Sequence, residues 1–294
     1  MERRRILFAA VQDSVHNQSR RWDGTRVVAI NEDGTIVLQN RNGVIYSVRL
    51  PEVVKALKRL RGKWKLDGEA VFLDLQGEEQ FTACQRRCST QYPDPCLIQQ
   101  LPIKMEVFDA LEGDGISLER EPYLNRKATL QRILERDRID STIEYVPFVK
   151  DLPKAWDEVI KKEREGLIAK QVDSPYNEGD RSFNWLKVKN WRFVCCNVVG
   201  FTPGERSRAH FFGSLVLEHN GVFKGCVGSG FNEWELRKFK DLFSDAPKIS
   251  KPYSDQQVGE PYTAVRLETR VLVKFYQVTT DNNVLRFPTF AISD

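Results

Sequence analysis

The stretch that decides the fold lies at residues 26–38 and reads RVVAINEDGTIVL. On either side of Asn31-Glu32-Asp33-Gly34 the residues are mostly β-branched, and the four residues between have the composition of a hairpin turn. A second turn at Asn42-Gly43 leads into residues 44–48, which continue the β-rich pattern. The sequence therefore predicts three antiparallel strands, followed by a helix that begins at Pro51 and runs to about Leu60.

Further strands and helices alternate along the first two-thirds of the chain. Residues 16–20 (HNQSR) do not alternate between polar and apolar side chains, so no strand is predicted there. The predicted strands lie at residues 64–75, 103–108, 143–146, 165–170 and 185–189, and the predicted helices at 118–136 and 153–163. This order is typical of an antiparallel-rich α+β domain, to which we assign residues 1–189.

The pattern changes after Trp191. Short strands separated by Gly-rich or Asn-rich turns are predicted at residues 192–201, 214–218, 221–227 and 270–277, with one helix at 233–243. A five-stranded OB-type β-barrel interrupted by a single helix has this layout. We therefore predict that residues 190–294 form a second domain, an OB-fold β-barrel.

The composition excludes the membrane and disordered classes. The 294 residues are 41% hydrophobic and 29% charged, with a net charge of +4, which is typical of a folded protein but does not by itself predict nucleic-acid binding. No apolar stretch approaches the roughly 20 residues of a spanning helix, so we expect a cytoplasmic protein without a membrane partner. We also expect a monomer. Six cysteines are too few for a disulfide scaffold, and reduced thiols are expected.

Five short segments of the first domain occur in a fixed order. Each one alone could be an ordinary turn or a set of surface charges, but these explanations do not account for the whole ordered set. The segments are Arg21-Trp22-Asp23-Gly24-Thr25-Arg26; Asn40-Arg41-Asn42-Gly43; Leu66-Asp67-Gly68-Glu69 with Val107-Phe108-Asp109; Glu165-Gly166-Leu167-Ile168-Ala169-Lys170; and Trp185-Leu186-Lys187-Val188-Lys189. Lys187 and Lys189 lie two apart on one predicted strand, so they point to the same face and could both grip one phosphate. Glu165 offers the hard oxygen ligands that divalent metals take.

In this order the segments resemble the signature of the covalent nucleotidyltransferase superfamily, which contains ATP-dependent DNA ligases, RNA ligases and messenger-RNA capping enzymes. The resemblance implies that the first domain is a nucleotidyltransferase (ATP-grasp-like adenylation) domain. In the second domain, residues 200–205, 212–215 and 225–231 resemble the OB domain of prokaryotic end-joining DNA ligases. Residues 285–290 (LRFPTF) resemble the final motif of that family, which usually contains Arg-His-Pro.

The resemblance implies a role for each matching residue around ATP. Glu69 would take the ribose hydroxyl and Phe108 would stack on adenine, while Arg26 and Arg41 would contact phosphates. Lys170 would line the same pocket.

The resemblance also implies residues for the reacting phosphate and for a metal. Lys187 and Lys189 would hold the AMP phosphate, and Asp23 belongs to the catalytic motif that runs from Arg21 to Arg26. Glu165, with Glu69, would help to bind Mg²⁺ or Mn²⁺.

One position departs from the family pattern. The family motif begins with the lysine that becomes adenylated, three residues before the motif glycine, and counting back from Gly24 gives Arg21. A guanidinium has a pKa above about 12 and no available lone pair near neutral pH, so it cannot attack an α-phosphate. Either the position has been altered and an ATP-site scaffold remains, or another amine is the nucleophile; we favour the first.

The sequence thus predicts an ATP-dependent DNA ligase that seals 5′-phosphate/3′-hydroxyl nicks in duplex DNA during break repair. Such an enzyme passes AMP from the protein to the 5′-phosphate, and the 3′-hydroxyl then displaces the AMP. With Arg21 in place, we expect self-adenylation to be impaired. The resemblance implies a Ku-like end-binding protein and a repair polymerase as partners. An RNA ligase and a catalytically deficient nick-binding module are the alternatives.

Overall fold

The computed structural model describes residues 16–40, 42–149, 151–178, 184–279 and 282–293. The chain divides into two compact units, of which the first ends at Val188 and the second begins at Lys189. The strands of the described residues form three sheets. Two of these sheets carry the candidate site, and the third builds the second unit.

The first unit is a mixed α+β structure. Its strands are β1 (His16–Arg20), β2 (Thr25–Glu32), β3 (Thr35–Gln39), β4 (Trp64–Val71), β5 (Lys104–Gly113), β6 (Ile116–Ser117), β7 (Ile143–Tyr145), β8 (Gly166–Gln171) and β9 (Trp185–Lys189), the last of which runs across the boundary. Its helices are α1 (Pro51–Leu57), α2 (Phe81–Ser89), α3 (Pro95–Gln100), α4 (Tyr123–Arg136) and α5 (Leu152–Lys161).

The larger sheet of the first unit has the order β3-β2-β4-β5-β6. The predicted hairpin is confirmed, because β2 and β3 pair antiparallel with Glu32 opposite Thr35. The prediction of a third strand at residues 44–48 is wrong. Only Ile45 forms a single bridge, to Gln39, because the amide of Arg49 donates to the carbonyl of Tyr46 and turns the chain into α1.

The smaller sheet of the first unit has the order β1-β8-β9. The prediction that residues 16–20 form no strand is also wrong. All five residues pair antiparallel with β8, from His16 opposite Gln171 to Arg20 opposite Leu167. Backbone hydrogen bonds to a neighbouring strand do not depend on alternation of the side chains. This pairing delivers the residue after β1, Arg21, to the start of β8.

Several elements differ from the predicted ones in start or pairing. Helices α2 and α3 were not predicted, and α4 begins at Tyr123 instead of residue 118. Strand β7 pairs with β5 in parallel, whereas the remaining ladders of the described residues are antiparallel. The buried face of α4 holds Tyr123, Arg126, Lys127 and Leu130, so charged side chains enter the interior beneath the sheet.

The second unit is built around a six-stranded sheet of order β12-β11-β10-β14-β15, with β13 attached to β10. Its elements are β10 (Arg192–Pro203), β11 (Phe212–His219), β12 (Val222–Val227), α6 (Glu233–Asp245), α7 (Asp255–Val258), β13 (Thr263–Ala264), β14 (Arg270–Phe275) and β15 (Thr289–Ser293). An aromatic core fills it, with Phe212 in edge contact with the rings of Phe231, Phe239 and Phe243.

Helix α6 starts where its sequence provides both halves of a capping box. The side chain of Asn232 accepts from the amide of Glu235, whose carboxylate in turn accepts from the amide of Asn232. All six cysteines are free thiols, as expected. No helix among the described residues is long and apolar enough to cross a membrane.

Gly24 follows the motif aspartate at a point where two backbones come into close contact. A Cβ added there would lie 2.1 Å from the carbonyl oxygen of Ala70, which is far inside van der Waals contact. We expect Gly24→Ala to lower the free energy of unfolding by roughly 1–3 kcal/mol, because β2 and β4 must separate to admit the methyl group. Urea unfolding measures the change, and an unaltered midpoint would show that this contact is dispensable.

Candidate functional site

Strand pairing brings three of the predicted residues, Arg26, Glu69 and Phe108, onto neighbouring strands of one sheet. In the register of β2 with β4, Arg26 lies opposite Glu69. In the register of β4 with β5, Asp67 lies opposite Asp109, the neighbour of Phe108. Motifs separated by more than 80 positions along the chain therefore meet on one sheet.

Arg26 is held by a buried carboxylate. Its guanidinium donates through Nε and Nη2 to the two carboxylate oxygens of Asp67, whose side chain is 0% exposed. The hydroxyl of Tyr176 donates to the same carboxylate at 3.0 Å and accepts from Arg26 Nη2 at 3.1 Å. A fork of this kind fixes the guanidinium in one orientation.

Four rings form what we call the aromatic cage, namely Phe108, Tyr123, Tyr176 and Trp185. Trp185 makes edge contacts with the other three rings, at centroid distances of 6.1–6.4 Å. The cations of Arg26, Arg126 and Lys170 face this cage. The guanidinium carbon of Arg26 lies 5.7 Å from the Phe108 centroid, and the ammonium of Lys170 lies 3.7 Å from the Trp185 centroid.

Lys170 is a cation that is almost completely enclosed by the protein. The residue is 1% exposed, and its Nζ also lies 4.4 Å from the centroid of Phe108 and 4.8 Å from that of Tyr123. Within the described part of the chain, Nζ has no hydrogen-bond partner. Burial lowers the pKa of Lys170 to about 7, although Asp109 and Asp67 act in the opposite direction. The cage thus contains a buried ammonium that contacts aromatic rings but has no hydrogen-bond acceptor among the described residues.

A second buried ion pair supports the cage from below. Arg126, on α4, donates through Nε and Nη2 to both oxygens of Asp109 at 3.0 Å, and neither side chain is exposed. Its Nη1 donates to the carbonyls of Glu121 and Ser174. With its donors satisfied in this way, Arg126 can stay charged inside the protein and position the strand that carries Phe108.

Arg21 lies against the predicted metal ligand. Its Nη2 is 2.6 Å from Oε1 of Glu165, and its backbone amide donates to the carbonyl of Gly166 at 3.2 Å. Glu165 is 6% exposed. The position that holds a nucleophilic lysine in the family pattern therefore holds a guanidinium in an ion pair that is almost excluded from water.

The acidic residues Asp23 and Glu69 lie near these cations. Asp23 is 9% exposed. Burial raises the pKa of Glu69 to about 8, and the negative charges of Asp67, Asp23 and Glu165 act in the same direction, against Arg26. Near neutral pH Glu69 is therefore mostly protonated and can donate a hydrogen bond as well as accept one.

The remaining predicted residues are Lys187, Lys189 and Arg41. Lys187 is exposed on β9. Lys189 belongs to the second unit, where its ammonium lies 4.7 Å from the centroid of Tyr276, a ring that stacks on Trp191. Arg41 is outside the residues that the structure describes.

The predicted metal ligands do not fit a resident divalent ion. Glu165 has a guanidinium on its carboxylate, and no group of three or more His, Cys, Asp or Glu side chains within the described residues could hold a metal. The arrangement around Glu165 is that of an ion pair between protein side chains. The aromatic cage beside this ion pair presents ring faces that the cations of Arg26 and Lys170 cover.

Sequence reasoning did not identify three residues that complete this site. Tyr123 and Arg126 lie on the buried face of α4, and Tyr176 lies in the segment after β8. The helical spacing of Tyr123 and Arg126 indicates one shared face, but nothing in the local pattern shows that this face is turned inward. Trp185 lies within a quoted motif, yet no role was predicted for it.

Comparison with known families places these motifs in context. Residues 6–189 match the family model described as the ATP-dependent DNA ligase domain, which is more than half of the chain. The multifunctional non-homologous end joining protein LigD of Mycolicibacterium smegmatis is 32% identical over 279 residues, covering 92% of this chain and 35% of that protein. A DNA ligase of Thermococcus fumicolans is 29% identical over 266 residues, covering 86% of this chain and 46% of its own.

A solved structure shows similarity in three dimensions. The ligase domain of LigD from M. tuberculosis superposes with a TM-score of 0.55 at 25% identity, covering 95% of this chain and 89% of that domain. The chain spans about a third to a half of the length of the curated relatives named above.

Proposed function

Because the chain belongs to the ATP-dependent DNA ligase family, we propose that it seals 5′-phosphate/3′-hydroxyl nicks in duplex DNA during break repair and that, as this sequence stands, it acts on 5′ ends that already carry AMP. The observation that carries this proposal is the buried ion pair of Arg21 with Glu165. It leaves a phosphate-handling site without an amine at the position of the family's nucleophile.

The cage is the proposed adenylate pocket. Phe108 stacks on the adenine, Glu69 bonds the ribose hydroxyl, and Lys170 provides the buried donor that faces the ring. This assignment requires the side chains of Arg26 and Lys170, which now lie over the cage rings, to make room for the base. The cations Arg26, Arg41, Lys187 and Lys189 are the proposed phosphate contacts, and Asp23 lies within the same motif.

The first reaction step is the one that Arg21 blocks. An amine must use its lone pair to form the phosphorus–nitrogen bond while pyrophosphate leaves, and a guanidinium keeps its proton at any physiological pH. The ion pair with Glu165 adds to this barrier because it holds the guanidinium in place.

The last step makes no such demand on the protein. The oxygen of the 3′-hydroxyl attacks the 5′-phosphorus, the bond to AMP breaks, and AMP leaves as the phosphodiester forms. The protein contributes orientation and charge neutralisation on the phosphates. In the family this step uses Mg²⁺ or Mn²⁺. A divalent ion would supply further charge neutralisation on the phosphates, but Glu165, paired with Arg21, is not a ready ligand for it.

We expect the chain to seal a nick whose 5′-phosphate already carries AMP, and to leave an ordinary 5′-phosphate nick open when supplied with ATP and Mn²⁺. Denaturing gel analysis of a labelled strand measures both reactions. Lys187→Ala should slow sealing of the adenylated nick, because the phosphate loses one cation. Failure to seal the adenylated nick in either Mg²⁺ or Mn²⁺ would overturn the proposal and favour a nick-binding module.

The same assay distinguishes a DNA ligase from an RNA ligase. A DNA ligase should seal an adenylated nick between DNA strands faster than one between RNA strands. The reverse preference would favour the RNA ligase alternative.

The context of the enzyme is proposed from its relatives. We propose a nucleotidyltransferase domain at residues 1–189 and an OB-type barrel at residues 190–294, consistent with the six-stranded sheet of the second unit. The name of the M. smegmatis relative, a multifunctional non-homologous end joining protein, supports a role in break repair. A Ku-like end-binding protein and a repair polymerase are the partners that we propose. A monomer acting in the cytoplasm completes the proposal.

A further inference from the structure

The pairing of β1 with β8 determines where Arg21 can reach. The ladder ends with Arg20 opposite Leu167, and the amide of Arg21 continues it by donating to the carbonyl of Gly166. The main chain of Arg21 is thus hydrogen-bonded to the segment Glu165–Gly166, independently of its side chain. The short reach that remains places Nη2 at 2.6 Å from Glu165 Oε1.

The carboxylate of Glu165 therefore already has a cation. We propose that Arg21 is the resident cation of this site and that it keeps divalent metal off Glu165. The inference rests on the proposed function only in treating Glu165 as the metal position of the family's site. It adds a positioning role for the very residue that prevents self-adenylation.

Electrostatics favour the arginine over a metal at this point. A divalent ion on Oε1 would have to displace the guanidinium and then lie beside a positive charge that the ladder holds nearby. Both the carboxylate and the guanidinium side chains are largely buried, at 8% and 19% exposure, so water screens the repulsion poorly. Arginine cannot remove the conflict by losing its proton.

The other carboxylates of the site have protein partners of their own. Asp67 accepts from Arg26 and Tyr176, and Asp109 accepts from Arg126. Among the described residues, no cluster of three ligating side chains compensates for the loss of Glu165. Asp67, Asp109 and Glu165 thus each have a basic partner, which is the charge pattern of a site that meets phosphates without a protein-bound metal.

Mn²⁺ binding to the full chain, measured by electron paramagnetic resonance without DNA or ATP, tests this role. We expect Glu165→Gln to leave the dissociation constant for Mn²⁺ unchanged. Arg21→Gln should tighten Mn²⁺ binding by about tenfold or more, because it removes one nearby positive charge and frees the carboxylate. The gain should disappear in Arg21→Gln/Glu165→Gln.

A matched control is Arg237→Gln, which removes the same charge from an exposed pair with Glu233 on α6 and should not tighten binding. Tight Mn²⁺ binding by the unchanged chain that Glu165→Gln abolishes would overturn the proposal. So would Mn²⁺ binding that Arg21→Gln does not tighten. Because no nucleic acid is present, neither result depends on whether the chain seals nicks.

Discussion

Replacing Lys170 by methionine is expected to make the protein more stable and less able to bind a nucleotide. Lys170 is 1% exposed, and its ammonium has no hydrogen-bond partner within the described residues. Methionine has a similar length and leaves no buried charge to desolvate. We expect a gain of about 2 kcal/mol in the free energy of unfolding at pH 7, together with a loss of roughly tenfold or more in affinity for AMP, because one charge-assisted donor is removed.

The pH dependence of stability provides an independent check of the same residue. The folded-state pKa of Lys170 is lowered to about 7 from its usual 10.5, so between these values the unfolded chain binds more protons than the folded chain. The contribution of Lys170 to the free energy of unfolding therefore rises with pH across this window. The advantage of Lys170→Met should shrink correspondingly towards pH 10.

Lys127 provides the control for this prediction. Burial lowers its pKa to about 7 as well, but its Nζ donates to the carbonyl of Val146 at 2.6 Å. Lys127→Met leaves that carbonyl unpaired and should not stabilise the protein, and AMP affinity should not fall. Urea unfolding and calorimetry with AMP measure both variants. Lower stability of Lys170→Met at pH 7 would show that the caged ammonium is held favourably.

The sequence predicted local elements better than it predicted pairings between distant segments. The hairpin and the motif strands depend on local composition, and they were found where the pattern places them. Strand β1 was missed because its stability comes from pairing with β8, which lies about 150 positions away, and not from its own side chains. Conversely, residues 44–48 have strand-like composition, but a turn at Tyr46 removes their partner.

The distinction between local sequence pattern and contacts between distant segments also explains which site residues could be foreseen. Phe108, Lys170 and Glu165 lie in ordered motifs, so the family resemblance of those motifs implies them as site residues. Tyr123, Arg126 and Tyr176 became recognisable only when α4 and the segment after β8 were packed beneath Phe108. The ion pair of Arg21 with Glu165 could not be foreseen either, because it follows from the β1–β8 register and not from any spacing within a motif.

Replacing Arg21 by lysine is expected to restore joining of ordinary 5′-phosphate nicks with ATP, which is the largest gain of activity that we predict. The β1–β8 ladder fixes the main chain at this position, so a lysine would extend from the same point next to Glu165. Its amine can lose a proton and act as the nucleophile, whereas the guanidinium cannot.

The restored reaction should depend on ATP, and it should be lost again in Arg21→Lys/Lys187→Ala if Lys187 grips the reacting phosphate. Gel analysis of ordinary nicks with and without ATP measures both effects. A variant that binds ATP but still fails to join would show that Arg21 is one of several changes at this site.

We propose that the guanidinium at position 21 is what keeps this chain from forming a covalent adenylate with ATP. Intact mass spectrometry after incubation with ATP and Mn²⁺ tests it most directly, with the unchanged chain beside Arg21→Lys. We predict that the unchanged chain keeps its mass and that the variant gains one AMP. A gain of AMP by the unchanged chain would contradict the account, because a residue other than the one at position 21 would then be the nucleophile.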